Sequence, residues 1–294
     1  MEDFLRKLRK YEIRIRKAVA GHLQGDFHSV FKGAGLEFDD VRQYQYGDDV
    51  RSIDWNVSAK GHGTFVKTFR EEKEQTVFFM LDVSASQDIG NTGQKKIDIS
   101  KEIVGVLALS AIKEGSQVGL FCFSDRREQY IKPGKGMKFA YQIISSLHNL
   151  RAQSLKTSLN SAIFFVLNIL RRRCVIILVS DFIDNEDYFQ TLRPLARRHD
   201  LIVIHVHDSR EVSFPKLGII PLFDRERGRQ VWINTSSGNF SRRLEQGYNE
   251  NREKIQQFCR ANQVNYLGID TQTDFVPELI KLFKTRNRSH FKSA

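Results

Sequence analysis

Cysteine and long apolar runs are both scarce in this chain of 294 residues. The three cysteines, Cys122, Cys174 and Cys259, are odd in number and widely spaced, which supports neither a disulfide framework nor a Cys-x-x-Cys metal clip. No apolar run approaches the ~18 residues of a membrane helix, and the N-terminus MEDFLRKLRK is charged where a signal peptide needs its apolar core. We therefore expect a cytoplasmic protein with no membrane anchor of its own.

A phosphate-binding loop of the G-x-x-x-x-G-K-[ST] type is also missing. The nearest candidate, Pro133-Gly134-Lys135-Gly136, is too short to form such a loop, so a nucleotide-binding enzyme of this class is disfavoured.

The net charge of +11 is concentrated at the two ends of the chain. The basic residues of the first helix and of the tail are Arg6, Lys7, Arg9, Lys10, Arg14, Arg16, Lys17, Lys281, Lys284, Arg286, Arg288 and Lys292. They are not interleaved with aromatic residues for base stacking and match no nucleic-acid motif. We therefore favour a solvated basic face, then a surface for a protein partner, and place nucleic acid last.

The pattern from residue 75 onward alternates strands with helices. The predicted strands lie at 77–81, 118–123, around 130, at 175–179, 201–206 and 265–269, and the predicted helices at 94–113, 136–150, 158–170, 188–198, 240–262 and 275–284. Near-continuous apolar strands in this order predict an α/β fold with a mostly parallel sheet covered by helices on both faces.

The chain before this unit opens with a predicted helix at 3–20. Residues 21–63 show no sustained period and predict irregular structure, and 64–69 predict a strand. Within the irregular segment we expect Arg42, Asp48, Arg51 and Asp54 to form ion pairs that hold loops together, with a structural role favoured over a catalytic one. A β-hairpin inserted at about 214–236 is expected to pair with strand 64–69 in a small second sheet.

The stretch Asp82-Val83-Ser84-Ala85-Ser86 follows the first apolar strand of the α/β unit. If the chain turns over there, the carboxylate of Asp82 and the hydroxyls of Ser84 and Ser86 can converge on one cation. Hard oxygen ligands favour Mg²⁺ or Mn²⁺ over Zn²⁺. The alternative is an ordinary polar turn after a strand.

Two further oxygen groups occur where the carboxyl ends of parallel strands would bring them to the same edge. Thr157 lies in a loop between two helices, and Asp181 follows the strand 175–179. The alternatives are that Thr157 or Ser158 caps a helix and that Asp181 caps a turn. As a set, the five residues favour a metal site.

These residues resemble the metal-ion-dependent adhesion site of von Willebrand factor type A domains. The upstream block GAGLEFDDVRQYQYGDDVRSIDWNVSAKGHGTFVKTFREE resembles the bacterial family named domain of unknown function 58, in which such a block precedes a type A domain. The resemblance implies a Rossmann-like fold in which Ser84, Ser86 and Thr157 bind the metal directly and Asp82 and Asp181 act largely through water. It divides the chain into an N-terminal segment at 1–74, a type A domain at 75–285 and a basic tail at 286–294.

The resemblance also implies a function. Type A domains leave one metal coordination position open for a partner's carboxylate, and proteins of this kind are associated with MoxR-type AAA+ ATPases as adaptors in maturing or remodelling client proteins. The alternatives are a hydrolase that uses the same cation to activate water, and a basic nucleic-acid-binding protein. For the hydrolase, His62, His205 and His207 are candidate bases only by residue type, and we expect each to be a packed or surface residue.

Overall fold

The computed structural model describes residues 1–20, 36–61, 63–71, 75–211, 215–224 and 229–291. The helices are α1 (Glu2–Ala20), α2 (Trp55–Ser58), α3 (Lys96–Lys113), α4 (Met137–Asn149), α5 (Leu159–Ile169), α6 (Phe189–Arg198), α7 (Gly238–Ala261) and α8 (Val276–Phe291). The strands are β1 (Leu36–Gln43), β2 (Phe65–Glu71), β3 (Thr76–Asp82), β4 (Gly90–Asn91), β5 (Gln94–Lys95), β6 (Gln117–Phe123), β7 (Arg127–Gly134), β8 (Val175–Ser180), β9 (Asp200–His207), β10 (Ile219–Asp224), β11 (Arg229–Asn234) and β12 (Asn265–Asp270).

The central sheet has six strands in the order β12-β9-β8-β3-β6-β7. Five of them are parallel, and β7 runs antiparallel to β6 at one edge. This confirms the predicted α/β class and the Rossmann-like type A arrangement. Because β3 and β8 are adjacent and parallel, with Leu81 opposite Val179, the residues that follow them leave the sheet at the same edge.

The sheet is buried on both faces because its strands are apolar at consecutive positions. Along β3, Val77, Phe79 and Leu81 pack into a cluster with α1, α3, α4 and α8. Phe78 and Met80 point the other way and pack with α5, α6 and α7. This alternation follows from the two-residue period of a strand. The three cysteines are buried as free thiols in these two clusters.

Helix α1 is docked on the α/β unit through a narrow apolar stripe. Leu8 and Ile15 are fully buried. Gly105 of α3 allows the close approach, because a Cβ atom at this position would lie 2.7 Å from Leu8 Cδ1.

Several basic residues of α1, α3 and α8 form ion pairs with acidic residues. Lys7 pairs with Glu102, Arg14 with Asp274 at 2.6 Å, Lys113 with Glu12 at 2.7 Å, and Arg286 with Asp200. The solvated basic face that we expected is therefore partly an internal ion-pair surface.

The small sheets differ from the sequence prediction. Strand β2 pairs with β1, which lies in the segment predicted to be irregular, and β10 pairs only with β11 among the described residues. The expectation that the hairpin joins the strand at 64–69 is therefore wrong. The reason is that β1, which carries a bulge between Phe38 and Asp40, supplies the partner of β2 locally.

The polar segment between β1 and β2 is held by ion pairs of the kind predicted, with some different partners. Arg42 donates two hydrogen bonds to Asp48, at 2.6 and 2.8 Å. Arg51 pairs with Asp49, while Asp54 accepts hydrogen bonds from the first turn of α2. These contacts support a structural role for the segment.

Candidate metal centre

Asp82 lies at the carboxyl end of β3 and is completely buried. Its Oδ2 accepts a hydrogen bond of 2.7 Å from Ser180 Oγ at the end of β8, and its Oδ1 accepts one of 3.0 Å from the Ser84 backbone N–H. Burial raises the pKa of Asp82 to about 7, and the charge of Asp181 adds to this effect.

Ser84 and Ser86 follow at a 3₁₀ turn over Ala85–Asp88, so the chain turns over as the sequence predicted. Their hydroxyl oxygens lie 3.0 Å apart. Ser84 occupies the position before the turn but makes no capping hydrogen bond with its side chain, which leaves the hydroxyl available to a ligand. The Ala85 N–H donates to the Leu155 carbonyl at 3.0 Å and fastens this turn to the loop that carries Thr157.

Thr157 is not the helix cap. Ser158 has that role, since its Oγ accepts from the Ser161 N–H at the start of α5. Thr157 Oγ1 is buried and has no hydrogen-bond partner among the described residues. A buried hydroxyl without a partner costs stability, so it calls for a water molecule or an ion. Together with the adjacent serine hydroxyls, this observation fits a small oxygen-seeking cation.

Asp181 follows β8 and is also buried. Its Oδ1 accepts from the Ile183 N–H at 3.2 Å, and its Oδ2 lies 2.7 Å from Lys96 Nζ. The next residue, Phe182, has a φ of 57°, in the left-handed region that a non-glycine residue rarely adopts. Such backbone strain is concentrated at functional sites.

Lys96 and Glu211 belong to this centre but were not predicted from the sequence. Lys96 Nζ is fully buried and also contacts Glu211 Oε1 at 2.6 Å. Burial disfavours the ammonium form, but the charges of Asp181 and Glu211 outweigh burial and raise the pKa of Lys96. The sequence contains one indication of this pair, since Lys96 is the first residue of α3. A cation is unfavourable in the first turn of a helix unless an acidic side chain compensates its charge.

Asp82, Ser84, Ser86 and Asp181 therefore lie together at the carboxyl edge of the sheet, and Thr157 lies two positions after Leu155, whose carbonyl accepts from the Ala85 N–H. Direct contacts link Asp82, Ser84 and Ser86, and Asp181 is close enough to raise the pKa of Asp82. Within the described ranges, no three His, Cys, Asp or Glu side chains form a metal-binding group. A centre built on three hydroxyls and two carboxylates does not depend on such a group, and its ligands suit Mg²⁺ or Mn²⁺.

A cavity of about 1120 Å³ adjoins the candidate centre. It lies between the β10-β11 hairpin, α7 and the carboxyl ends of β8 and β9. Its lining is Ile89, Gly90, Asp181, Phe182, Ile183, Asp184, His205, His207, Arg210, Glu211, Pro215, Leu222, Ile233, Phe240, Arg243, Leu244, Gly247, Tyr248 and Asn251. Asp181 therefore belongs to both the candidate centre and the cavity.

The histidines considered as catalytic bases are packed in the structure, apart from His62, which lies outside the described residues. His205 Nδ1 lies 2.9 Å from the Tyr266 hydroxyl. Burial, with a contribution from His207, lowers the pKa of His205 to about 3, and burial also lowers that of His207. Both are therefore neutral at pH 7 and contact aromatic rings.

Among the described residues, no helix has the length and apolar character needed to cross a bilayer.

Comparison with known proteins places most of the chain within one family. An uncharacterized protein of Mycobacterium tuberculosis (strain ATCC 25618 / H37Rv) is 25% identical over 285 residues, which cover 96% of this chain and 89% of the relative. The conserved hypothetical protein BatB from Bacteroides thetaiotaomicron aligns with a TM-score of 0.49 at 13% identity, over 73% of this chain and 99% of that one. The SpRpn10 VWA domain aligns with a TM-score of 0.40 at 10% identity, over 72% and 94%. The family model described as protein of unknown function DUF58 matches residues 40–254, and the chain belongs to this family.

Proposed function

We propose that this protein is a metal-dependent interaction module, in which Mg²⁺ or Mn²⁺ at the candidate centre captures a carboxylate of a protein partner. Ser84, Ser86 and Thr157 would hold the cation, with Asp82 and Asp181 acting largely through water. The observation that carries the proposal is the buried, unpartnered hydroxyl of Thr157 in a loop fastened to the Ser84 turn. A cation supplies the partner that this hydroxyl lacks.

Most of the oxygen donors are neutral, which bears on how a cation would behave. Lys96 already neutralises part of the charge of Asp181. A cation that is bound by few charged ligands keeps most of its positive charge uncompensated. It therefore attracts the carboxylate of an incoming Asp or Glu side chain. This electrostatic arrangement supports capture of a partner carboxylate.

The partner that we propose is a MoxR-type AAA+ ATPase, or its client, with this protein acting as a cytoplasmic adaptor in protein maturation or remodelling. The support is the resemblance of the block between Gly33 and Glu72 to the family in which this association occurs. The competing hydrolase would need a base near the cation, and burial lowers the pKa of His205 to about 3, which makes it a weak base. Nucleic-acid binding is disfavoured because Lys7, Arg14 and Arg286 are paired with acids.

The test is a pull-down from cell extract with wild type, Ser84→Ala and Ser145→Ala, each in Mg²⁺ and in EDTA, with identification by mass spectrometry. Ser145→Ala is the matched control, since Ser145 lies on α4, outside the candidate centre. We expect an AAA+ ATPase to be retained only by wild type and Ser145→Ala in Mg²⁺. Retention of the same partners by folded Ser84→Ala, or in EDTA, would refute the metal-dependent mechanism.

A further inference from the structure

The cavity borders the candidate centre at Asp181. Ile89 lies three positions after Ser86, and Ile183 lies two positions after Asp181. Both isoleucines line the cavity and are 41% and 47% exposed, respectively. The two segments that carry candidate metal ligands thus each present an exposed apolar side chain at the cavity. Exposed apolar surface beside polar groups is typical of an interaction site.

Most of the charged groups that line the cavity are already bound by other groups of the protein. Asp181 and Glu211 share the single ammonium group of Lys96, and Asp184 accepts the Leu159 N–H at 2.7 Å. Arg210 is bound to Asp208. Arg243 is exposed and has no acidic partner within the part of the chain that the structure describes. Among the described residues that line the cavity, the arginine available to a ligand is therefore Arg243, on α7.

The size and lining of the cavity favour a bulky apolar group. Its volume of about 1120 Å³ exceeds that of an ordinary small-ligand pocket, which is on the order of 300–1,000 Å³. Leu222 and Ile233 from the hairpin and Phe240 and Leu244 from α7 contribute apolar walls. An aromatic or branched aliphatic side chain buried against such walls is stabilised by the hydrophobic effect.

We propose that the cavity binds a large apolar side chain of the same partner segment whose carboxylate enters the candidate metal centre. The ligand is then a peptide with an Asp or Glu and a bulky apolar residue within about four positions of one another, since Asp181 borders both sites and an extended chain advances ~3.4 Å per residue. This inference rests on the proposed function and adds a specificity determinant to it. The hairpin inserted before α7 forms the cavity wall that would contact the apolar side chain of the peptide.

Gly247 offers a variant that fills the cavity without disturbing the fold. It lies on α7 and lines the cavity, and a Cβ atom added there would meet no atom within 4 Å. Trp also has a higher helix propensity than Gly. Gly247→Trp should therefore fold normally and occupy space in the cavity. Gln246→Trp is the matched control, because Gln246 is the adjacent, exposed residue of the same helix and does not line the cavity.

The experiment selects random dodecapeptides displayed on phage against immobilised full-length protein in Mg²⁺. The enriched peptides are then synthesised with a fluorescent label, and their dissociation constants are measured by polarisation. We expect them to share an acidic residue and a bulky apolar residue. Replacing either residue by Ala, adding EDTA, or using Ser84→Ala or Gly247→Trp should weaken binding at least about tenfold, or ~1.4 kcal/mol. Gln246→Trp should bind as wild type does, and melting temperatures establish that each variant is folded.

The outcomes separate this inference from the proposed function. If binding requires Mg²⁺ and Ser84 but tolerates Gly247→Trp and loss of the apolar residue, the cavity inference is overturned and the metal-dependent function stands. If binding requires the apolar residue and an open cavity but ignores EDTA and Ser84→Ala, the proposed function fails and the two-part ligand fails with it. Absence of any enriched peptide would also overturn the inference.

Discussion

Lys96 Nζ and Asp181 Oδ2 form an ion pair of 2.7 Å in which both side chains are almost completely buried. Asp181, a residue of the candidate metal centre, is thus paired with a lysine of the same protein. Glu211 binds the same ammonium group and precedes the inserted hairpin in the sequence. The candidate metal centre and the cavity wall are consequently linked through one charged group on α3.

We expect Lys96→Met to destabilise the metal-free protein by roughly 3–5 kcal/mol, because the buried carboxylate of Asp181 and the partly buried one of Glu211 would lose their shared counter-ion. Mg²⁺ should stabilise this variant more than wild type, since Asp181 is then free to contribute its full charge. Urea denaturation in Mg²⁺ and in EDTA measures both effects. Lys95→Met is the control: its partly exposed pair with Asp88 should be worth only about 0–1 kcal/mol. A gain from Mg²⁺ no larger than that of wild type would contradict the expected competition between lysine and metal.

Thr157→Val is expected to have opposite effects on stability and on metal affinity. Removing a buried, unpartnered hydroxyl should stabilise the metal-free protein by about 1 kcal/mol. The same change removes a proposed ligand and should weaken Mn²⁺ binding at least about tenfold, as measured by electron paramagnetic resonance. Thr191→Val is the control, because Thr191 Oγ1 donates to Asn160 Oδ1 at 2.6 Å and its loss should destabilise the protein without changing Mn²⁺ affinity. Unchanged Mn²⁺ affinity in Thr157→Val would remove Thr157 from the ligand set.

Asp82 should make the stability of the metal-free protein depend on pH. Its pKa rises from 3.8 to about 7 on folding, so the folded state holds a proton that the unfolded state releases. The stabilisation is present below about pH 4 and is lost as the pH rises through about 7. We therefore expect the melting temperature in EDTA to fall over this range, and Asp82→Asn to lack this part of the decline.

A divalent cation needs the ionised form of Asp82, so its effect has the opposite pH dependence. Below about pH 7, Mg²⁺ affinity should rise up to about tenfold per pH unit, since binding releases the proton. Titration calorimetry in buffers of different ionisation enthalpy would detect that proton. Binding without proton release at about pH 6 would show that Asp82 does not interact with the metal.

Leu8 should be the main apolar anchor of α1. Leu8→Ala is expected to cost roughly 2–5 kcal/mol, because the side chain is completely buried against Gly105. Ile13→Ala, at a position that is 42% exposed, should cost far less. Hydrogen exchange of α1 amides in the two variants makes the comparison, and equal exchange would show that other contacts hold the helix.

The sequence predicts those parts of the protein that depend on local pattern. The apolar runs of β3 and β8 place Asp82 and Asp181 at the ends of neighbouring strands, because parallel strands share a carboxyl edge. The Ser158 alternative was also correct as a cap, and this assignment is what leaves the Thr157 hydroxyl without a partner.

The parts that sequence reasoning missed depend on contacts between distant segments. Lys96 and Glu211 are 115 positions apart, and no periodic pattern links them. The pairing of β1 with β2 was missed because polar residues dominate β1, so no apolar alternation marks it as a strand. The cavity likewise arises from the placement of the hairpin over α7, which depends on tertiary structure.

The burial of the cysteines has a practical consequence for observing the hairpin. Cys122, Cys174 and Cys259 are at most 4% exposed, and burial raises the pKa of each thiol, so all three should resist maleimide reagents. A single cysteine introduced at the exposed Gln230 of β11 would then be the one reactive thiol of the chain. A dye attached there could report ligand entry in real time, with no native cysteine to be replaced first.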